Sequence, residues 1–230
     1  MSVMEAARTG FALSGRRLLG SRPLVVLGLG LVLTGTSAAI EISASPLGAV
    51  DRTLAATFRL LIPLVAFALA TDAAGREHLR EAAWPAARFG LGRGAVVLGM
   101  VAATVVGTAI AGALLAVLAA IAAHTAQAPP LAGDAVTSGV VGALAGAAYA
   151  GWFSLGGTLF KRGRGRVAPL LADLLLGGST GVLGVVLPRG HTTNLIGGAP
   201  PLGLSQPASA GLLVAAALLL GLAAALRTRD

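Results

Sequence analysis

The sequence predicts an all-α membrane protein with six transmembrane helices and both termini in the cytoplasm, preceded by an amphipathic interfacial helix. Three observations predict this. Of 230 residues 56% are hydrophobic and only 11% are charged, where a soluble domain averages about 25% charged, and the mean hydropathy is +0.86. So little polar surface cannot cover a globule in water, and an apolar solvent accounts for it. Six apolar runs approach the roughly 20 residues that cross a bilayer. Finally, the arginines fall almost entirely in alternate connections between those runs.

Residues 1–22 form the lead. In "MSVMEAARTGFALSGRRLL" the side chains Met4, Ala7, Phe11 and Leu18 lie near one helical face, with Arg8, Arg16 and Arg17 among the polar positions. That pattern predicts a helix lying along the cytoplasmic interface. The lead is too long and the run after it too span-like for a cleavable signal peptide. The remainder, 23–230, holds the runs 23–40, 54–71, 95–123, 135–160, 167–187 and 208–226. The third and fourth exceed a bilayer and are expected to tilt or project. Pro63, Gly107 and Gly112 inside the runs are tolerable in lipid-embedded helices.

The connections divide by charge. The lead has Arg8, Arg16, Arg17 and Arg22, and the segment 72–94 has Arg76, Arg80, Arg88 and Arg93. Lys161, Arg162, Arg164 and Arg166 cluster before the fifth run, and Arg227 and Arg229 follow the sixth. The other three connections, 41–53, 124–134 and 188–207, carry only Arg52 and Arg189. Fourteen basic residues against two places both termini inside by the positive-inside rule. An even number of spans requires the same result. The cluster "FKRGRGR" could hold nucleic acid, phosphate or lipid head groups, but its first meaning is topological.

Composition excludes several chemistries. No cysteine is present, so disulfides and thiolate sites are ruled out. The net charge of +8 flanks apolar runs instead of lining an aromatic-studded face, which argues against nucleic acid. There is no G-x-x-x-x-G-K-[ST] loop, so the chain does not bind ATP that way. His78, His124 and His191 fall in different loops and H-E-x-x-H is absent, so no metal site is expected. Ser154 in "GWFSLGG" has no histidine base in any span, and no catalytic residue is assigned. Sixteen arginines against one lysine, with abundant Ala, Gly and Leu, point to a GC-rich bacterial coding sequence and hence to the bacterial cytoplasmic membrane.

Two ionisable residues lie within spans, Arg59 and Asp173, and such residues are functional candidates. At ~1.5 Å per residue in a core of ~30 Å they are expected more than ~10 Å apart in depth, so no direct pair is expected. Either Arg59 snorkels outward and Asp173 faces back to the basic cluster, or both line a path. The connection 72–94 carries acids and bases three and four apart from Arg76 to Trp84, which predicts a mixed-charge helical face ending before Pro85. A solvated loop and a helix gripped by a cytoplasmic partner both fit it.

The layout resembles the type-2 ABC transporter permeases, membrane subunits of many bacterial exporters. The resemblance covers "RRLLGSRP" (16–23), the six runs, "DAAGREHLREAAWPAARFGLGRGAVVLG" (72–99), "FKRGRGR" and "LAAALRTRD" (222–230). Glu77 or Glu81 and the stretch from Arg93 match the family's connection after the second span, whereas "EAAWPAA" stands where a Gly-Thr is usual. The resemblance implies a permease that dimerises with a second copy, or a related chain, and docks a separate cytoplasmic ABC ATPase. Segment 72–94 would be its coupling helix, with Glu77, Arg80, Glu81, Trp84, Arg88 and Arg93 as contacts. ATP and Mg would be held by that partner and no cofactor by this chain. Residues 188–207 fall where the family folds short re-entrant exit helices. The spans carry no charged cavity, which favours a lipidic or amphipathic substrate. Two alternatives stay open: a permease-like subunit that anchors or actuates another membrane assembly, and a secondary transporter, which would want mid-membrane ionisable groups and related halves.

The charge division has a direct test. A cysteine at Thr125 is expected to react with an impermeant reagent from outside the cell, and one at Gly163 only from inside; the reverse pattern would end the six-span topology.

Overall fold

The computed structural model describes residues 2–126, 128 and 130–228; Arg229 lies outside them. Among the described residues all regular structure is helical. In chain order the α-helices are α1 (Val3–Leu18), α2 (Ser21–Ala44), α3 (Ala49–Ala56), α4 (Ile62–Ala73), α5 (Leu79–Ala87), α6 (Arg93–Ala122), α7 (Leu131–Gly156), α8 (Val167–Leu176), α9 (Val182–Val186), α10 (Pro188–Leu195) and α11 (Gln206–Leu226). A π-helical turn, Thr57–Leu61, joins α3 to α4, so the chain is helical from Ala49 to Ala73. Five segments are long and apolar enough to cross a membrane: α2, Ala49–Ala73, α6, α7 and α11.

α6 is the spine. Gly112 of α6 and Gly142 of α7 face one another so closely that a Cβ on either would collide with the other's carbonyl. Gly146 meets the Thr108 carbonyl in the same way. Small residues at such positions let backbones touch, which is how helices gain packing where lipid supplies no hydrophobic drive. Around this pair the first core gathers Leu54, Phe58, Ile62, Leu69, Leu115, Tyr149 and Phe153. Phe153 stacks on Tyr149 at 5.8 Å and takes the edge of Phe67 at 5.5 Å.

The lead does not lie free along a surface. Gly10 of α1 abuts Val96 and Met100 of α6, Gly99 abuts Ala7 and Phe11, and Leu18 fills the space over Gly107. The two helices therefore run side by side in the same direction. The buried stripe of α1 is Ala6, Gly10 and Ser14, while Met4 and Phe11, of the apolar face read from the sequence, are exposed. Close helix approach selected the small stripe over the large one. Ser14 then reaches across to donate to the Ala73 carbonyl at 2.9 Å. A second core collects at this end of the bundle: Ala6, Leu79, Ala82, Ala83, Leu91, Val96, Val97, Met100 and Ala224.

The fifth apolar run departs from expectation. Instead of one helix over 167–187 it forms α8 and α9, separated by Gly177-Gly178-Ser179-Thr180-Gly181. Glycine, serine and threonine propagate a helix poorly, and the break satisfies the Gly177 N–H through the Asp173 carbonyl at 2.9 Å. Leu187 is extended, as the residue before a proline prefers, and Pro188 opens α10.

The surface is apolar over long stretches. On α2, Leu24, Val25, Leu29, Val32, Leu33 and Ile40 are all exposed, and only 22% of its apolar window is buried. Exposed patches on this scale require a non-aqueous neighbour.

The glycine seam predicts a sharp contrast. Gly146→Val is expected to destabilise by about 2 kcal/mol or more, because backbone must move to admit it. Gly28→Ala on α2, with open space around it, is expected to leave the melting temperature in detergent unchanged or raise it.

Candidate functional site

Two constellations stand out, one at the α5 end and one beside α10. α5 is positioned from both sides. Gly75 and Arg76 take positive φ (63° and 64°), which turns the chain after α4. His78 caps α5: its Nδ1 accepts from the Arg80 N–H at 3.1 Å, while its Nε2 donates to the Thr158 carbonyl at 3.0 Å. Leu79 N–H donates to the Gly157 carbonyl at 3.1 Å. Leu79, Ala82 and Ala83 bury the inner face, against the second core.

The outer face holds most of the residues singled out from the sequence. Arg80, Glu81, Trp84 and Arg93 line one open cleft of about 480 Å³. The Arg88 guanidinium lies 5.6 Å from the Trp84 ring and 4.8 Å from the Phe89 ring, in cation–π range of both. Trp84 and Phe89 are 51% and 68% exposed, a large unpartnered aromatic surface.

Three expectations here are corrected. The helix begins at Leu79 and not at Arg76, because of the left-handed pair before it, so Glu77 is off the helix. Glu77 and Glu81 therefore do not form a one-turn pair of carboxylates. Nor does Pro85 close the helix, which runs on to Ala87. Pro85 and Glu81 are both exposed, so the carbonyl that the proline leaves unbonded can be solvated.

The basic cluster is divided. Lys161, Arg162 and Arg164 point outward, but Arg166 is 3% exposed. Its Nη2 donates to the Glu77 carbonyl at 2.9 Å and its Nη1 reaches the Gly163 carbonyl at 3.4 Å, while Nε has no partner. Arg166 thus ties the start of the α5 segment to the turn that opens α8. Burial pushes its guanidinium down to about 10. Since the unfolded chain holds that proton to higher pH, stability gains from this group only as pH rises through about 10; the cost stands at neutral pH. Gly163 has a φ of 61° and its Cβ would collide with Arg166, so Arg164 replaces it as the labelling position.

Beside α10, Asp173 does not turn back to the basic cluster. It is 1% exposed; its Oδ2 accepts from the Tyr149 hydroxyl at 2.7 Å and its Oδ1 from the Arg189 N–H at 3.1 Å. The Arg189 guanidinium donates to the Leu174 carbonyl at 3.1 Å. Arg59 sits in the π-helical turn near the middle of Ala49–Ala73, deeper than the run 54–71 implies, and shares a cavity of about 110 Å³ with Arg189. Arg59 and Asp173 do not pair, as expected, but Arg189 stands between them. Sequence reasoning missed Arg189 by counting it as a plain outer cation; the signal was a Pro-Arg pair in a Gly/Pro-rich connection after an interrupted run.

His191, expected in a loop, is buried on α10. Its Nε2 donates to the Val185 carbonyl at 2.7 Å, leaving Nδ1 to accept from Ser209 at 3.2 Å. Asn194 donates to the same Ser209 oxygen and to the Leu204 carbonyl, both at 2.9 Å. Ser209 is fully enclosed, and its contact with His191 anchors α10 to α11; His191 also lines a cavity of about 220 Å³ with Trp152 and Leu213. Among the described residues no three His, Asp or Glu gather as a metal site would require.

No protein-family model, curated protein or solved structure matches the chain. The fold and surface define the class: a helical, multi-pass membrane protein. Within it, one end presents an aromatic and charged helix.

The Arg166 tie is testable. Arg166→Gln is expected to raise amide exchange at Leu79 and Gly165 about tenfold, the loss of a hydrogen bond to a charged group. Exchange unchanged at both would show that the two segments are held by other contacts.

Proposed function

We propose that this chain is the membrane subunit of an ATP-driven exporter of the type-2 ABC permease kind, with a separate cytoplasmic ATPase. The observation that carries it is α5: a short helix braced on its inner face, with Arg80, Glu81, Trp84 and Arg88 free on its outer face. A loop needs no such bracing. A helix that must transmit force does.

In this reading both termini and α5 lie in the cytoplasm of a bacterium, and α1 sits at the interface with Phe11, Leu19, Arg8 and Arg16 outward. Six segments cross the bilayer: α8 rises part-way, and α9 and α10 complete the fifth crossing and fold back toward the outer surface. The ATPase binds Mg and ATP; closing of its dimer is felt at α5 and biases the bundle through differential contacts in the two states. The tie from Arg166 to Glu77 supports transmission toward α8 and Asp173. Two copies assemble per transporter, and the substrate is lipidic or amphipathic, since the large exposed surfaces are apolar.

One observation favours a second reading. Arg59 and Arg189 line one cavity and Asp173 accepts from the Arg189 N–H, a group of ionisable residues of the kind an ion-coupled secondary transporter would use. That protein would need no ATPase.

Copurification separates the two. Glu81→Ala with Trp84→Ala is expected to leave insertion intact and weaken association with the ATPase about thirtyfold or more, since loss of an aromatic anchor costs about 2 kcal/mol. An exposed charge pair alone is worth at most about 1 kcal/mol. If the wild type recovers no ATPase from its own cells, or the double variant holds it unchanged, the role of α5 falls.

A further inference from the structure

We propose that Arg59 and Arg189 clamp one phosphate or carboxylate group in the cavity between the π-helical turn and α10. The cavity, about 110 Å³, is lined by Ala55, Phe58, Thr192 and Ile196 together with both arginines, of which Arg59 is exposed and Arg189 half-buried. A space of this size admits one phosphate or carboxylate group.

Charge accounting inside this site points to the occupant. Two like charges share a small cavity and repel one another. Among the described residues neither arginine has a carboxylate within 4 Å, the ion pairs being Arg52–Glu41 and Arg76–Asp72. Asp173, the nearest acid, spends its oxygens on the Tyr149 hydroxyl and the Arg189 backbone N–H, not on a guanidinium. Arg189 uses one N–H on the Leu174 carbonyl, and among the described residues the Arg59 guanidinium donates no hydrogen bond. Most of their donors are therefore open. The Thr192 and Thr193 hydroxyls already donate to the Arg189 carbonyl and leave anion binding to the guanidinium forks.

Position adds to this. Arg59 stands near the middle of an apolar helix, where an uncompensated cation is expensive. A guanidinium matches phosphate and carboxylate oxygens in a fork geometry, and two forks on one anion give both charge balance and fixed orientation. The π-helical turn widens the helix where Arg59 leaves it, a distortion often found at functional sites. The clamp stands whether or not the chain couples to an ATPase.

The anion could arrive as a lipid head group or as a free ion, and the experiment distinguishes them. Purified full-length protein in detergent is equilibrated with phosphatidylglycerol or phosphatidylcholine and examined by native mass spectrometry. A parallel sample is titrated with inorganic phosphate and followed by melting temperature. Retention of one phosphatidylglycerol per chain over phosphatidylcholine, not displaced by phosphate, assigns the lipid source. Stabilisation by phosphate without lipid preference assigns the free ion. In either case R59Q is expected to lower binding about tenfold at a melting temperature without ligand that is unchanged or higher, because among the described residues the side chain makes no hydrogen bond or ion pair and its charge repels Arg189. R52Q, whose partner is Glu41 on another part of the surface, is expected to bind as the wild type does. R189Q also removes the bond to Leu174, so R189K, which keeps the charge without the fork, gives the second reading of the clamp. Binding by neither probe, or binding by R59Q equal to wild type, would overturn the proposal.

Discussion

Along α6 two neighbouring helices approach closely, and each approach is permitted by a glycine: the α1 backbone at Gly99, with the α1 side chain Leu18 over Gly107, and the α7 backbone at Gly112. In lipid the hydrophobic effect does not press helices together, so packing contacts between backbones must hold the bundle. The architecture follows from this. α7 fixes the plane on which Tyr149 and Phe153 stand, and Tyr149 fixes Asp173. α1, drawn against the first half of α6, completes the second core that supports α5.

The two constellations sit at either end of one mechanical path. At one end, α5 is capped by His78, tied through Leu79 and Glu77 to the turn 157–166, and buried on one face. That turn leads directly into α8. At the other end of α8, Asp173 holds the first residues of α10 through the Arg189 N–H, and α10 is secured to α11 by His191, Asn194 and Ser209. Each link is a polar contact between 2.9 and 3.2 Å.

The broken fifth run and the buried connection after it explain why the polar groups lie where they do. An uninterrupted helix would satisfy its own backbone and need no helpers. A chain that stops at Gly177 and resumes at Val182 exposes carbonyls and N–H groups within the bundle, and these must find partners. Arg189, Asp173, His191 and Asn194 are those partners, bonded respectively to Leu174, Arg189, Val185 and Leu204. Arg59 is different, since it satisfies no backbone group, and its charge is left for something else to balance.

The sequence by itself determined the helical class, the apolar surface and the presence of five helices long and apolar enough to span, though not their ends, because hydropathy over twenty residues is a local sum that packing does not alter. It also marked 72–94 as a segment of interest, through Arg80, Glu81 and Trp84. Tertiary structure alone decided that α1 packs by its small stripe, that Glu77 leaves the helix, that Arg166 turns inward while its neighbours turn outward, and that Arg189 folds back beside Asp173 and Arg59. Each of these depends on which groups meet across the bundle. The Gly142/Gly146 spacing marks a close approach but not its partner, and a carbonyl left unbonded by a distant break has no signature in the residues around it. The burial of a polar side chain is fixed by the partner it finds, and that partner lies up to 89 residues away, as between Arg166 and Glu77.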